Sequence, residues 1–372
     1  MDDQWLIYRN DNIGRGVDFT WSADPPPWRK PRPLPKRESL IADRSAVTLH
    51  WDGPADFYYK ADDDVKDAVN LAFRLRRPIL VTGAPGTGKT SLAYSIAFEL
   101  GLGPVLEWLI TSRSSVRDGL YQYDVLSRVN DMNLADRIRR GDAIEGRPEA
   151  DPEGERLADA ARKIGRYIRL GPLGDAFLPR PRPRVLLIDE IDKADIDLPG
   201  DLLHIFERGT YEIPELVREE EKVIEVQRAN GQPPVSIESG RVACHDFPVV
   251  VLTSNEERDF PPAFRRRCLT VHIDPPDMAT LRDIAANQLL PSRRPGDVVD
   301  PDRVLSPDDK QLIAQFLTDD AALGRGKESR KRSTDQLLNA LYLRKSGEGL
   351  DADDLRRLYK IVMRPLDELP GA

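Results

Sequence analysis

The stretch Pro78-Ile79-Leu80-Val81-Thr82-Gly83-Ala84-Pro85-Gly86-Thr87-Gly88-Lys89-Thr90-Ser91 passes through three kinds of local structure. Ile79–Thr82 is a short apolar run of strand type. The glycine-rich turn after it breaks the strand. Ser91–Leu100 then continues with small and apolar residues, a pattern that predicts a buried helix ending at Gly101. Strand, glycine turn and buried helix in that order make one βα unit.

Similar apolar runs recur at Val105–Thr111, Val185–Ile188 and Val249–Thr253, with a shorter one at Val271–Ile273. They do not alternate with polar residues, so they fit strands covered on both faces. Before the first run, Val65, Ala68, Val69, Ala72 and Phe73 fall at helical spacing. Strands separated by helices predict an α/β fold with a mostly parallel sheet between helical layers. After Pro291–Gly296 the strand signals stop. Ser306–Leu317, Ser333–Arg344 and Asp353–Met363 read as helices of a small all-α domain. The expected domains are therefore a proline-rich arm over 1–45, an α/β core over 46–290 and a helical domain over 300–372. Two polar stretches near 131–166 and 215–232 read as surface insertions, the second as solvated helix and loop.

The whole-chain numbers narrow the functional classes. With 372 residues, 40% hydrophobic and 32% charged, the chain has room for about two globular domains. No run approaches the roughly 20 apolar residues of a membrane-spanning helix. The acidic start Met1-Asp2-Asp3-Gln4-Trp5 holds no apolar signal core, so the expected location is cytoplasmic. Two cysteines and four histidines provide neither a disulfide framework nor metal-ligand spacing. The net charge of −8 weighs against bulk binding to nucleic acid. The arm segment Pro25–Arg37 concentrates six prolines and five basic residues, which excludes regular helix or central strand and suits an extended strap or a docking segment.

Gly83-Ala84-Pro85-Gly86-Thr87-Gly88-Lys89-Thr90 matches the phosphate-loop pattern, with strand before and helix after. Its glycines let successive backbone N–H groups turn inward to an anion, and the next helix adds its positive end. Lys89 is suited to the terminal phosphates and Thr90 to Mg²⁺, with Ser91 continuing the helix start. Val185-Leu186-Leu187-Ile188-Asp189-Glu190 places two carboxylates at the carboxyl end of a buried strand, where open parallel sheets bind ligands. Asp189 is the second metal candidate and Glu190 the candidate base for a water. Val249–Asn255 ends another strand in a polar residue, so Asn255 is expected beside Glu190. Asn after a strand also serves as a plain turn former. In Phe264-Arg265-Arg266-Arg267-Cys268, the arginines fit either a solvated helix end or a cation that stabilises phosphate charge on a neighbouring subunit.

With these four elements the sequence resembles the AAA+ ATPases, and within them the MoxR-like branch. Gly83–Thr90 looks like Walker A and Ile188–Ala194 like Walker B. Thr253-Ser254-Asn255 looks like sensor 1, although it reads TSN rather than the branch's commoner TQN. Arg267, then Arg266, are the resemblance's arginine-finger candidates. Tyr167–Leu173 resembles the hairpin element of members with an insertion in the second helix. The helical tail resembles the AAA+ lid, which makes Arg332, beside Arg330 and Lys331, the sensor 2 candidate. The interval from Lys89 to Asp189 is longer than the family's usual one, owing to Asp131–Arg166 and Pro179–Arg184.

The resemblance implies ATP and Mg²⁺ as ligands and a ring oligomer, a hexamer by family habit, that remodels or matures a partner protein such as one with a von Willebrand A domain. Two other readings stay open here: an ATP-dependent switch or scaffold in a multi-component signalling or defence system, and a nucleic-acid-directed motor or GTPase. The last draws its local support from Arg325, Lys327, Arg330, Lys331 and Arg332.

Overall fold

All five apolar runs lie side by side, and the three inner ones are covered on both faces. In the computed structural model, which describes residues 6–14, 26–29, 58–139, 156, 159–229, 232–290, 297, 299–323, 333–346, 357–359 and 361–363, they build one sheet. Its strands are β1 (Ile79–Thr82), β2 (Leu106–Leu109), β5 (Val185–Asp189), β10 (Val249–Ser254) and β11 (Leu269–His272), in the order β11-β1-β10-β5-β2. Every pairing is parallel. The side-chain period of two divides each strand between two cores. On β5, Leu186 and Ile188 join one cluster, whereas Val185 and Leu187 join the other. The edge strand β2 alternates buried and exposed residues, so it is covered on one face only, unlike the expectation for its apolar run.

Helix α1 (Asp63–Leu75) starts at the Asp62 side chain, which accepts the Val65 N–H at 2.8 Å, and ends with Arg76 in the left-handed region. Helix α2 (Lys89–Leu100) begins directly on the glycine turn. Both pack on the face that holds Val81, Leu92 and Ile96.

Three sequence expectations need correcting. First, Glu215–Gln232 is not only solvated helix and loop. Val223–Val226 forms strand β7 of a second, antiparallel sheet with β6 (Thr210–Glu212), β8 (Val235–Glu238) and β9 (Arg241–Ala243), in the order β6-β9-β8-β7. The glutamates masked a period-two pattern in which Ile224 and Val226 turn inward. Pro179–Arg184 is likewise built in, because Arg180 and Arg184 are buried. Arg180 and Arg228 both bind Asp175, and so tie the second sheet to the core. The other insertion carries a helix at Val125–Arg139, and 140–155 lie outside the described residues. A small antiparallel pair, β3 (Tyr121–Tyr123) with β4 (Ile168–Leu170), stands where the hairpin resemblance was noted.

Second, the expected N-terminal arm over 1–45 begins as part of the core. Ile7 and Tyr8 are buried in the α1–α2 core. Third, helix Met278–Gln288, which fell on the core side of the expected boundary, packs with the C-terminal helices. Leu281, Ala285 and Ala286 form one cluster with Leu305, Ile313, Phe316, Leu337 and Leu341.

Candidate nucleotide site

The loops leaving the carboxyl ends of β1, β5, β10 and β11 open into one cleft of about 630 Å³, within the range of small-molecule sites. Its wall includes Pro85–Ser91, Asp189, Glu190, Thr253 and Asn255. The sequence motifs therefore converge although a hundred residues separate the first two.

The phosphate loop is shaped by glycine at two decisive points. Gly86 has φ +75° and Gly88 φ +91°, conformations that side chains rarely adopt. A Cβ on Gly86 would meet the Ser333 Cβ at 2.6 Å, so the start of helix Thr334–Ser346 lies directly over the loop. Lys89 is buried, and its Nζ donates to the carbonyls of Gly83 at 2.9 Å and Ala84 at 2.8 Å. Burial lowers its pKa, opposed by the charges of Asp192, Asp189 and Glu190.

Thr253 ties the other motifs together. Its hydroxyl donates to Asp189 Oδ1 at 2.6 Å and accepts the Glu190 N–H at 2.9 Å. The Thr90 hydroxyl donates to the same Asp189 oxygen at 3.0 Å. Glu190 sits at φ +59°, a left-handed conformation that costs a non-glycine residue roughly 1–2 kcal/mol. The Thr253 bond helps hold it there. The Glu190 carboxylate accepts from Lys193 Nζ at 2.7 Å, with both side chains partly exposed. Asp192 Oδ2 accepts the N–H groups of Asn255 at 2.8 Å and Glu257 at 3.2 Å, fixing the turn that carries Asn255.

Sequence reasoning used Thr253 only as part of a motif and passed over Asp192. The available signal was a threonine and a serine ending an otherwise Val/Leu strand, and a third acid just beyond Asp189-Glu190. The segment from Tyr58 to Val65, which family likeness sets beside the base, contributes Tyr59 and Lys60 to the cleft wall.

A hydroxyl beside a carboxylate is a fitting donor set for Mg²⁺, which keeps several waters and shares phosphate oxygens. No cluster of three His, Cys, Asp or Glu suited to a metal exists among the described residues. Thr90 and Asp189 would hold that ion, which supplies charge neutralisation for phosphates.

Arg267 and Arg266 do not line the cleft. They precede β11, at the opposite end of the sheet from its carboxyl edge. Arg267 pairs with Glu207 and donates to the Ala263 carbonyl, while the Arg266 carbonyl accepts from Arg77. Arg332 and the basic residues from Arg325 onward lie outside the described residues, directly before Ser333. Cys268 is buried, which pushes its thiol up to about 12 and leaves it protonated at neutral pH.

A phosphate loop, two carboxylates on the adjoining strand and a polar third strand end define a P-loop nucleoside-triphosphatase site. The family model for the AAA domain (dynein-related subfamily) matches residues 78–268, just over half of the chain, and the chain belongs to that family. No curated protein matches the sequence. The AAA domain makes this an ATP-binding AAA+ protein of a family that generally takes ATP with Mg²⁺ and commonly assembles in rings. Among the described residues, no helix is long and apolar enough to cross a membrane.

Proposed function

We propose that this chain is a ring-forming ATP hydrolase that uses turnover to remodel or mature a partner protein, in the manner of MoxR-like AAA+ proteins. The observation that carries the hydrolytic part is the Thr90–Asp189–Thr253–Glu190 network. It brings the phosphate loop, both acids and the third strand into one connected set of hydrogen bonds.

Each side chain then has a task. The loop N–H groups and Lys89 hold the phosphate chain. Thr90 and Asp189 hold the metal. Glu190 accepts a proton from the attacking water at a carboxylate oxygen, for which it must leave Lys193. Asn255, on a turn anchored by Asp192, orients that water. Arg267, or Arg266, acts on the neighbouring subunit's phosphates, since its position before β11 keeps it from its own cleft. Arg332, which directly precedes Ser333 in the sequence, is the sensor 2 candidate by the same likeness.

The arrangement of cleft and arginines at opposite sheet ends supports assembly into a ring, for which six subunits is our proposal, working in the cytoplasm. A partner carrying a von Willebrand A domain rests on the MoxR likeness alone. Mass measurement of the Glu190→Gln chain with and without ATP and Mg²⁺ tests the assembly. A ring that forms with ATP supports it. A monomer under all nucleotide conditions contradicts it.

A further inference from the structure

The segment Ile7–Asn12 sits far from the motifs in sequence yet touches the cleft wall. It is first anchored to both helices behind the cleft. Buried Asn70 on α1 accepts the N–H groups of Ile7 at 2.6 Å and Tyr8 at 2.9 Å, and returns a bond to the Tyr8 carbonyl at 2.7 Å. On α2, Ser95 shares a hydrogen bond with the Tyr8 hydroxyl at 2.8 Å, and Glu99 accepts the Arg9 N–H at 2.6 Å. These helix residues are almost wholly buried, so the segment supplies partners that a buried polar group requires.

Two asparagines then reach from that anchored segment to Tyr59-Lys60-Ala61. Asn10 Oδ1 accepts the Ala61 N–H at 2.6 Å, while its Nδ2 donates to the Tyr59 carbonyl at 2.9 Å. Asn12 Oδ1 accepts the Tyr59 N–H at 2.9 Å. Both asparagines lie at positive φ, +56° and +54°, a conformation asparagine tolerates better than most residues. Their side chains thus bond the backbone on both sides of Lys60 as a neighbouring strand would.

What they hold matters for the site. Tyr59 is buried, and a Cβ on Gly88 would lie 3.4 Å from its ring. Lys60 forms an ion pair with Asp283 on the lid helix Met278–Gln288. Tyr59, Lys60 and Ala61 all line the cleft. We propose that Asn10 and Asn12 are positioning residues of the nucleotide site, setting the Tyr59–Ala61 wall between the phosphate loop and the lid. This rests on the cleft's being the nucleotide site.

The bonding pattern makes the two asparagines behave differently when changed. Asn12 bonds Tyr59 through its oxygen alone, and its Nδ2 makes only a long 3.5 Å bond to the Asn10 carbonyl, so Asn12→Asp keeps the bond to Tyr59, and Asn12→Gly loses it without backbone strain. Asn10 uses both ends of its amide, so Asn10→Asp replaces a donor by an acceptor facing the Tyr59 carbonyl. Affinity of the full-length chain for a fluorescent ATP analogue is measured for each variant. Hydrogen exchange at the Tyr59 and Ala61 amides is followed without nucleotide, and folding is checked by circular dichroism.

Wild-type-like affinity in Asn12→Asp is expected, with Asn12→Gly and Asn10→Asp weakened roughly tenfold, about 1.4 kcal/mol. Their KM for ATP rises more than their kcat falls, and the Tyr59 amide exchanges faster. Folded Asn12→Gly and Asn10→Asp proteins with unchanged affinity and exchange would overturn the proposal. If Asn10→Asp fails to fold, the contrast between Asn12→Asp and Asn12→Gly decides it. Failure of the wild type itself to bind the analogue identifies the nucleotide-site reading as the one at fault.

Discussion

Replacing Asp175 strips the counter-charge from two buried arginines at once. Asp175 is fully buried, and Arg180 and Arg228 are nearly so. Its Oδ1 accepts from Arg180 Nη2 at 2.6 Å and Arg228 Nη2 at 3.2 Å, and its Oδ2 from Arg228 Nε at 2.7 Å. A single residue therefore joins the helix Pro172–Ala176 to the segment just beyond β7 that carries Arg228. Removing one member of a buried ion pair costs about 3–5 kcal/mol, because the remaining charge stays buried without compensation. Asp175→Ala leaves two such charges and belongs at or above the top of that range. Asp175→Asn keeps one acceptor oxygen and belongs near the bottom. Whole domains are stable by only about 5–15 kcal/mol, so the alanine variant should be barely folded.

Urea unfolding followed by tryptophan fluorescence, to which the buried Trp108 contributes, measures the difference. Acid provides a second reading of the same residue. Burial raises the Asp175 pKa, but the two arginines outweigh it and hold the carboxyl below its ordinary 3.8. A depressed folded value means that the stabilisation is fully present above the unfolded value. It is lost as pH falls through the lower, folded one. Between neutral pH and that region the wild type should therefore lose stability that Asp175→Asn never had. A loss under 1 kcal/mol for Asp175→Asn, with an unchanged acid profile, would refute the reasoning.

Lys89→Ala removes the charge aimed at the phosphates and should weaken ATP binding about a hundredfold, or about 2.7 kcal/mol, by calorimetry; a change within threefold contradicts its role. Gly86→Ala forces a left-handed alanine against Ser333, with a strain cost of about 1–2 kcal/mol in the backbone alone, so both thermal stability and ATP affinity should drop. Arg267→Ala should keep ATP binding but lose turnover, and mixing it with Glu190→Gln should restore part of the turnover, because each chain supplies what the other lacks. No recovery in mixed rings would place the arginine's action elsewhere. Its pairing with Glu207 is solvent-exposed, so Glu207→Ala should change stability by less than about 1 kcal/mol.

The nucleotide-facing half of this fold was legible because its signals are local. A strand buried on both faces has to be apolar throughout, and a phosphate loop has to carry glycine where φ is positive. Asp189 and Glu190 stood out because acids rarely follow four buried residues. The second sheet was hidden because Val223-Ile224-Glu225-Val226 is a short strand among charged neighbours, and its partners lie across a turn. The role of Asn10 and Asn12 was illegible for a different reason. An asparagine that bonds to a backbone forty-nine residues away leaves no periodic trace, and its value lies wholly in tertiary placement. Helix Met278–Gln288 likewise has an ordinary helical pattern, and only packing with Phe316 and Leu341 assigns it to the lid side.

Phosphate release from ATP by the wild-type chain and by Glu190→Gln, with Mg²⁺ and at matched ATP occupancy, tests the central claim most directly. Turnover in the wild type that disappears in Glu190→Gln, while ATP stays bound, is the predicted result. Equal turnover in both proteins would contradict the assignment of Glu190 as the base and of this cleft as the hydrolytic centre.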